Sequence, residues 1–218
     1  MSAVAEARPR RGLGTGAKRG ILIGVIVVVI AFIALGTRVV PYGSEVAGAE
    51  QAFDPAVYGP EKFPEVRDAV VERAVEADVL AAAIADDKDA ASAEYGVPSS
   101  GGTVFSVTMT GTFGEGASSI YAFDVDGLPD GLSIRVQTGP AINGTELRDA
   151  TGDITFGEFT NQIDYQNAAA SINDAMKAEV LEGLDTSALE GTTATITGAF
   201  TLINPEAWLV TPVSVEEG

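Results

Sequence analysis

Residues 104–113 read VFSVTMTGTF, in which apolar and small polar residues alternate with the period of a strand that buries one face. The alternation returns at 120–125 and 132–137, with Gly- and Asp-rich turns between, so the three runs read as a meander. An irregular stretch, 138–162, leads to a predicted helix over 164–181, where Tyr165, Ala169, Ile172, Met176 and Val180 share a face. Strands resume with GTTATITGAFTLI at 191–203 and LVTPVSVEE at 209–217, a predicted closing hairpin that turns at Asn204-Pro205. Gly111 and Gly198 fall inside these strands, where strongly bent barrel strands need room.

Three strands, a helix and two strands is the plan of the OB-fold barrel. The expected fold class is therefore α+β, an OB-like antiparallel β-barrel with added helices; the alternative is an open antiparallel sheet with helices on one face. The added helices form an N-terminal layer at about 62–96. One helix is predicted over 64–77, with Val66, Ala69, Val70, Ala74 and Val75 at helical spacing. A second starts at Asp78 as N-cap, aligns Leu80, Ile84, Ala91 and Tyr95, and stops at Gly96. Its run of Asp86, Asp87, Lys88 and Asp89 reads as a solvated face.

Upstream of this domain the composition changes. Residues 20–37 carry no charge, and at about 1.5 Å per residue they reach roughly 27 Å as a helix, the thickness of a bilayer's hydrocarbon core. A signal peptide usually has an apolar region of about 7 to 15 residues and a small-residue cleavage site, whereas here the run is longer and Arg38-Val39-Val40-Pro41 follows. A buried core helix would show a polar face, and this segment has none. A retained transmembrane signal anchor is expected, preceded by a cytoplasmic tail at 1–19 and followed by a juxtamembrane linker at 38–52 and the extracytoplasmic domain at 53–218. Arg8, Arg10, Arg11, Lys18 and Arg19 against Glu6 keep the N-terminus inside. The expected location is the cell membrane, single-pass, with the C-terminal domain outside.

Charge and composition exclude several functions. Of 13 basic and 31 acidic residues, six basic and one acidic lie at or before Arg38, which leaves seven basic against thirty acidic in the exported part. Such a surface repels nucleic acid, so no nucleic-acid partner is expected. There is no cysteine and no histidine. That removes disulfides, thiolate and imidazole metal sites, cysteine nucleophiles and the Ser-His-Asp triad. No enzyme is expected. Paired carboxylates of the glycosidase kind are the one catalytic alternative, and pairing in space is not a property of sequence.

Two segments contain candidate site residues. In FDVDGLPDGL, Asp124, Asp126 and Asp130 surround Gly127 and Gly131, a spacing that suits either a calcium loop or Asp-Gly hairpin turns. No bidentate Glu follows twelve positions in, so calcium is the lesser reading and no cofactor is expected. The stretch 139–165, GPAINGTELRDATGDITFGEFTNQIDY, is a long loop of the kind that often carries function. Arg148 is the only basic residue between Arg135 and Lys177. Its planar fork suits a carboxylate or a hydroxyl-rich ligand, or an internal pair with Asp149, Asp153 or Glu158. Thr145 and Asp149 flank it, and Asn161 and Gln162 either orient a sugar by amide hydrogen bonds or cap the following helix. Asn143-Gly144-Thr145 matches a glycosylation acceptor.

The motifs GP-x-I-x-GT-x-LRD at 139–149, F-x-x-FTNQI-x-Y at 156–165, FDPA at 53–56, GAF at 198–200 and TPV at 211–213 resemble the bacterial domain-of-unknown-function family 2291. The resemblance covers nearly the whole exported domain. It implies an uncharacterised extracytoplasmic protein, described in that family as a predicted periplasmic lipoprotein, whose genes often lie beside sugar ABC transporter genes. It brings no catalytic residues. Members commonly have Trp where Phe63 stands, and a lipoprotein needs a cysteine that this chain lacks. The membrane helix is expected to anchor it instead. The expected function is a non-enzymatic accessory or binding module for a sugar ABC uptake system, with components of that transporter as partners. The alternative is an envelope structural or protein-interaction protein without a small ligand.

Overall fold

The computed structural model describes Gly24, residues 26–29, 53–186 and 188–218. Gly24 and residues 26–29 are helical and fall within the expected membrane span; the rest of that span, the tail at 1–19 and the linker at 38–52 lie outside the described residues. Among the described residues no helix is long and apolar enough to cross a membrane. Phe53–Gly218 is one unit.

Asp54 starts helix α1 (Pro55–Arg73): its carboxylate accepts the Ala56 N–H at 3.0 Å, and Pro55 sits where a missing N–H costs nothing. The helix begins nine residues before the Pro64 start predicted from periodicity and runs through Pro60 and Pro64. Each proline removes one i→i−4 bond, yet the stripe Gly59, Phe63, Val66 and Val70 is fully buried, and that burial outweighs the lost bonds. At Gly59 a Cβ would stand 2.1 Å from the Ser171 carbonyl oxygen, so only glycine allows α1 to cross so close to the second long helix.

A two-residue strand β1 (Val75–Glu76) leads into α2 (Ala77–Asp86) and α3 (Lys88–Tyr95). The sequence reading made these one helix. Asp87 divides them, because its side chain accepts the N–H groups of Asp89 and Ala90 and so caps a new helix. The strands follow as β2 (Gly96–Ser99), β3 (Gly102–Ala117), β4 (Ile120–Asp124) and β5 (Ser133–Gln137). Next come the short helix α4 (Glu146–Asp149), a 3₁₀ turn at Phe156–Glu158, α5 (Gln162–Met176) and a π turn at Lys177–Leu181. The hairpin β6 (Thr193–Leu202) and β7 (Ala207–Glu217) ends the chain, with Asn204 and Ala207 bridged at its turn.

The long strand β3 organises the sheet. One edge pairs antiparallel with β6 from Thr103↔Leu202 to Thr112↔Thr193, and the other edge takes β2, β1 and then β4 in turn. From β4 the pairing passes to β5, from β5 to β7, and from β7 back to β6. The result is mixed α+β, but it is not the uniformly closed antiparallel barrel expected from sequence. The β5–β7 pairing is parallel, as is β1–β3, and β1 and β2 extend the sheet beyond the five main strands. The parallel joint arises because α5 lies between β5 and the last hairpin, so the chain enters β7 in the same direction as β5.

Both faces of β3 and β6 are buried. Inside, Phe105, Phe200 and Trp208 stack, with ring centroids 5.7 and 4.5 Å apart, among Met109, Phe113, Ile134, Val136 and Ile196; Leu80 and Ile84 of α2 join them. On the other side Val104, Ala199 and Val213 meet Phe63, Val66, Val70, Ile172 and Met176 of α1 and α5. Where these helices do not cover the sheet, threonine pairs line it: Thr108 with Thr197, and Thr110 with Thr195, at 3.1 and 2.9 Å between hydroxyls.

Gly198 marks a register shift against β7, and a Cβ there would stand 2.5 Å from the Thr211 carbonyl oxygen. Gly198→Ala is expected to cost about 1–3 kcal/mol through forced backbone displacement. Urea unfolding that shows an unchanged midpoint would refute this.

Candidate functional site

The quoted family-like motifs come together around α4. All four residues of this short helix are buried, including its three charged ones, with Arg148 only 3 % and Asp149 6 % exposed. Asp149 satisfies Arg148: its Oδ1 accepts from Nε and lies 2.7 Å from Nη2, while its Oδ2 accepts the Thr145 hydroxyl at 2.9 Å. Arg148 Nη1 donates to the Tyr165 carbonyl at 3.1 Å, and the guanidinium carbon sits 3.6 Å from the centre of the Tyr165 ring. The fork of Arg148 is thus spent on its own protein.

Rings surround this pair. Phe53 and Tyr58, from the start of α1, lie 5.1 Å apart; Phe159 contacts both, and Tyr165 contacts Phe159 and Phe156. The Tyr58 hydroxyl is buried and has no hydrogen-bond partner among the described residues. Burial, together with the nearby charges of Glu158 and Glu65, pushes its pKa up to about 12. Burial raises the Tyr165 hydroxyl as well, against the opposing pull of Arg148.

The other predicted residues separate into distinct roles. Asn161 is the N-cap of α5: its Oδ1 accepts the N–H groups of Ile163 and Asp164 at 2.9 and 3.0 Å, and its Nδ2 donates to the Asp164 carboxylate. Gln162 is exposed at the first helical position. Asp124, Asp126 and Asp130 are all exposed, and the chain turns between them at Gly127 (φ +82°) and Gly131 (φ +91°). Among the described residues no three Asp, Glu, His or Cys side chains gather in a way that could hold a metal. The calcium reading of this loop is therefore corrected to a pair of glycine turns.

The sequence reading missed a second polar centre. Glu146 Oε1 accepts from Gln137 Nε2 at 3.1 Å and from the Thr211 hydroxyl, which in turn accepts from Gln137 at 2.7 Å. All three are buried, Thr211 completely. They tie α4 to β5 and β7 at the parallel joint. A polar residue at the end of each of two apolar strands was the available signal. Tyr58 was also missed, although it follows the quoted FDPA motif directly.

A family model matches residues 26–216. The chain belongs to the family described as predicted periplasmic lipoprotein, domain of unknown function 2291. No curated protein matches it. A solved structure of an OB-fold protein from Thermotoga maritima is similar, at 18 % identity and a TM-score of 0.62, over 77 % of this chain and all of that one. At that identity the likeness carries the fold alone. In this DUF2291 member the motifs LRD, FTNQI and FDPA converge because Arg148, Asn161 and Phe53 belong to one cluster of rings and polar bonds.

Removing Arg148 strands a buried carboxylate. Arg148→Ala is expected to cost about 3–5 kcal/mol in urea unfolding, and Asn161→Ala about 1 kcal/mol from the lost cap. Equal costs would refute the difference in their roles. Tyr58 gives a pH signature: its folded pKa is above its unfolded value of 10.0, so its contribution is full below pH 10 and is lost as pH rises toward about 12. The unfolding midpoint should fall across that window in the native protein more than in Tyr58→Phe.

Proposed function

We propose that this chain is a non-enzymatic accessory or binding module, held on the outer face of the cell membrane by its N-terminal apolar segment, and that it works with a sugar ABC uptake system. The observation that carries the non-enzymatic part is that the family-like motif residues are satisfied internally. Arg148, Asp149, Thr145 and Asn161 hold the loop and its rings in place, with no reactive group left facing solvent. Carriage of substrate or docking needs such a stable, shaped surface, whereas acid-base catalysis needs exposed titratable pairs.

The anchor reading rests on the uncharged run at 20–37 and on the missing cysteine, without which no lipid can be attached. The sugar link rests on the resemblance of the motifs to a family whose genes often neighbour such transporters. The seven cations among thirty acids in the exported part support a protein or neutral partner over nucleic acid. A second reading, an envelope interaction protein without any small ligand, is favoured by the complete internal pairing of Arg148.

Mild crosslinking of the full-length protein in native membranes, followed by purification and mass spectrometry, separates the two. Capture of a sugar permease or its solute-binding protein is the expected result. Recovery of only the protein itself or of cell-wall machinery would remove the transporter link.

A further inference from the structure

Residues 153–160 cross the aromatic cluster as a strap with few attachments. Its hydrogen bonds stay within itself and its own ends: Thr155 N–H donates to Glu158 Oε1 at 2.6 Å, Phe159 N–H to the Phe156 carbonyl at 3.1 Å, and Asp153 N–H to the Thr151 hydroxyl at 3.2 Å. Among the described residues no hydrogen bond or ion pair joins it to another element. What holds it is Ile154 at the edge of the outer core, the Phe156 ring on Tyr165, and the Phe159 ring against Phe53, Tyr58 and Tyr165. A segment with few buried apolar contacts and no outside hydrogen bonds opens at low free-energy cost.

Beneath it lies the one buried side-chain polar atom without a partner among the described residues, the Tyr58 hydroxyl. Such a group is costly to maintain, and native proteins rarely keep one without a use. Around it stand ring faces and a guanidinium already neutralised by Asp149, with Glu158 and Glu65 close enough to act on Tyr58. Those acids disfavour an anion. Flat apolar faces beside one unsatisfied hydroxyl suit a neutral ring that carries hydroxyl groups, stacking one C–H face and offering the missing hydrogen bond.

We propose that residues 153–160 are a lid, and that opening it exposes a site for a neutral monosaccharide floored by Phe53, Tyr58 and Tyr165, with Arg148 positioning Tyr165. Phe159 closes on the ligand from the lid side. The proposal rests on the sugar-uptake reading above and assigns that reading a ligand site, with Tyr58 as the group that would bond the sugar.

Hydrogen exchange of the full-length chain in detergent tests it, with D-glucose, D-ribose and myo-inositol added separately at millimolar concentration. The strap amides should exchange at least about tenfold faster than the interior of α5, and at least one of the three probes should slow them about tenfold. Tyr58→Phe should keep the fast exchange and lose the slowing, since it removes only the hydroxyl. Strap amides as slow as those of α5, no slowing by any of the three probes, or equal slowing in Tyr58→Phe would each overturn the proposal. The partner capture described above reads out separately. A captured permease without sugar protection removes the lid site and leaves the accessory reading; sugar protection without a permease does the reverse.

Discussion

The constraint on which the rest depends is that β3 and β6 are buried on both faces. Val104 and Phe105 are neighbours in sequence, point to opposite sides of the sheet, and are both excluded from water. The inward face builds a core of stacked rings, which a sheet coiled on itself can enclose. The outward face has no such enclosure and requires a second layer, and α1 and α5 supply it. Their close crossing at Gly59 and Ser171 and the proline-tolerant course of α1 follow from the need to lie flat on that face.

That second layer creates the candidate site. Covering the outer face brings the start of α1 beside the start of α5, so Phe53 and Tyr58 meet Phe159 and Tyr165 although about a hundred residues separate them in the chain. The loop after β5 has to pass through this junction. Its two buried polar centres, Arg148 with Asp149 and Glu146 with Gln137 and Thr211, fasten it to α5 on one side and to the parallel joint of the sheet on the other. A buried ion pair of this kind offers little net stability beyond an apolar substitute, but losing either partner is costly. That asymmetry is consistent with LRD and FTNQI occurring together.

Much of the fold was legible because strand alternation is a local signal. All five main strands, the helix between the third and fourth, and the two strand glycines were readable from residue types alone, and Gly111 and Gly198 do meet backbone where a Cβ would clash. The early start of α1 was not legible, since Pro60 and Pro64 weigh against a helix until the burial of Phe63 and Val66 is known. The single helix expected over 78–95 was divided by one side chain, the cap at Asp87. Asp124, Asp126 and Asp130 looked like ligands because sequence records spacing and not direction.

By itself the sequence determined the class of the protein: the order of strands and helices, the uncharged run before the domain, the acidic surface, and the exclusion of cysteine and histidine chemistry. Each of these depends on residue type, on counts, or on neighbours within one turn or one strand. Tertiary structure alone decided the parallel joint between β5 and β7, the internal pairing of Arg148, and the unpartnered hydroxyl of Tyr58 beneath the strap. These depend on which distant surfaces exclude water together, and a long-range packing choice leaves no periodic trace in the chain.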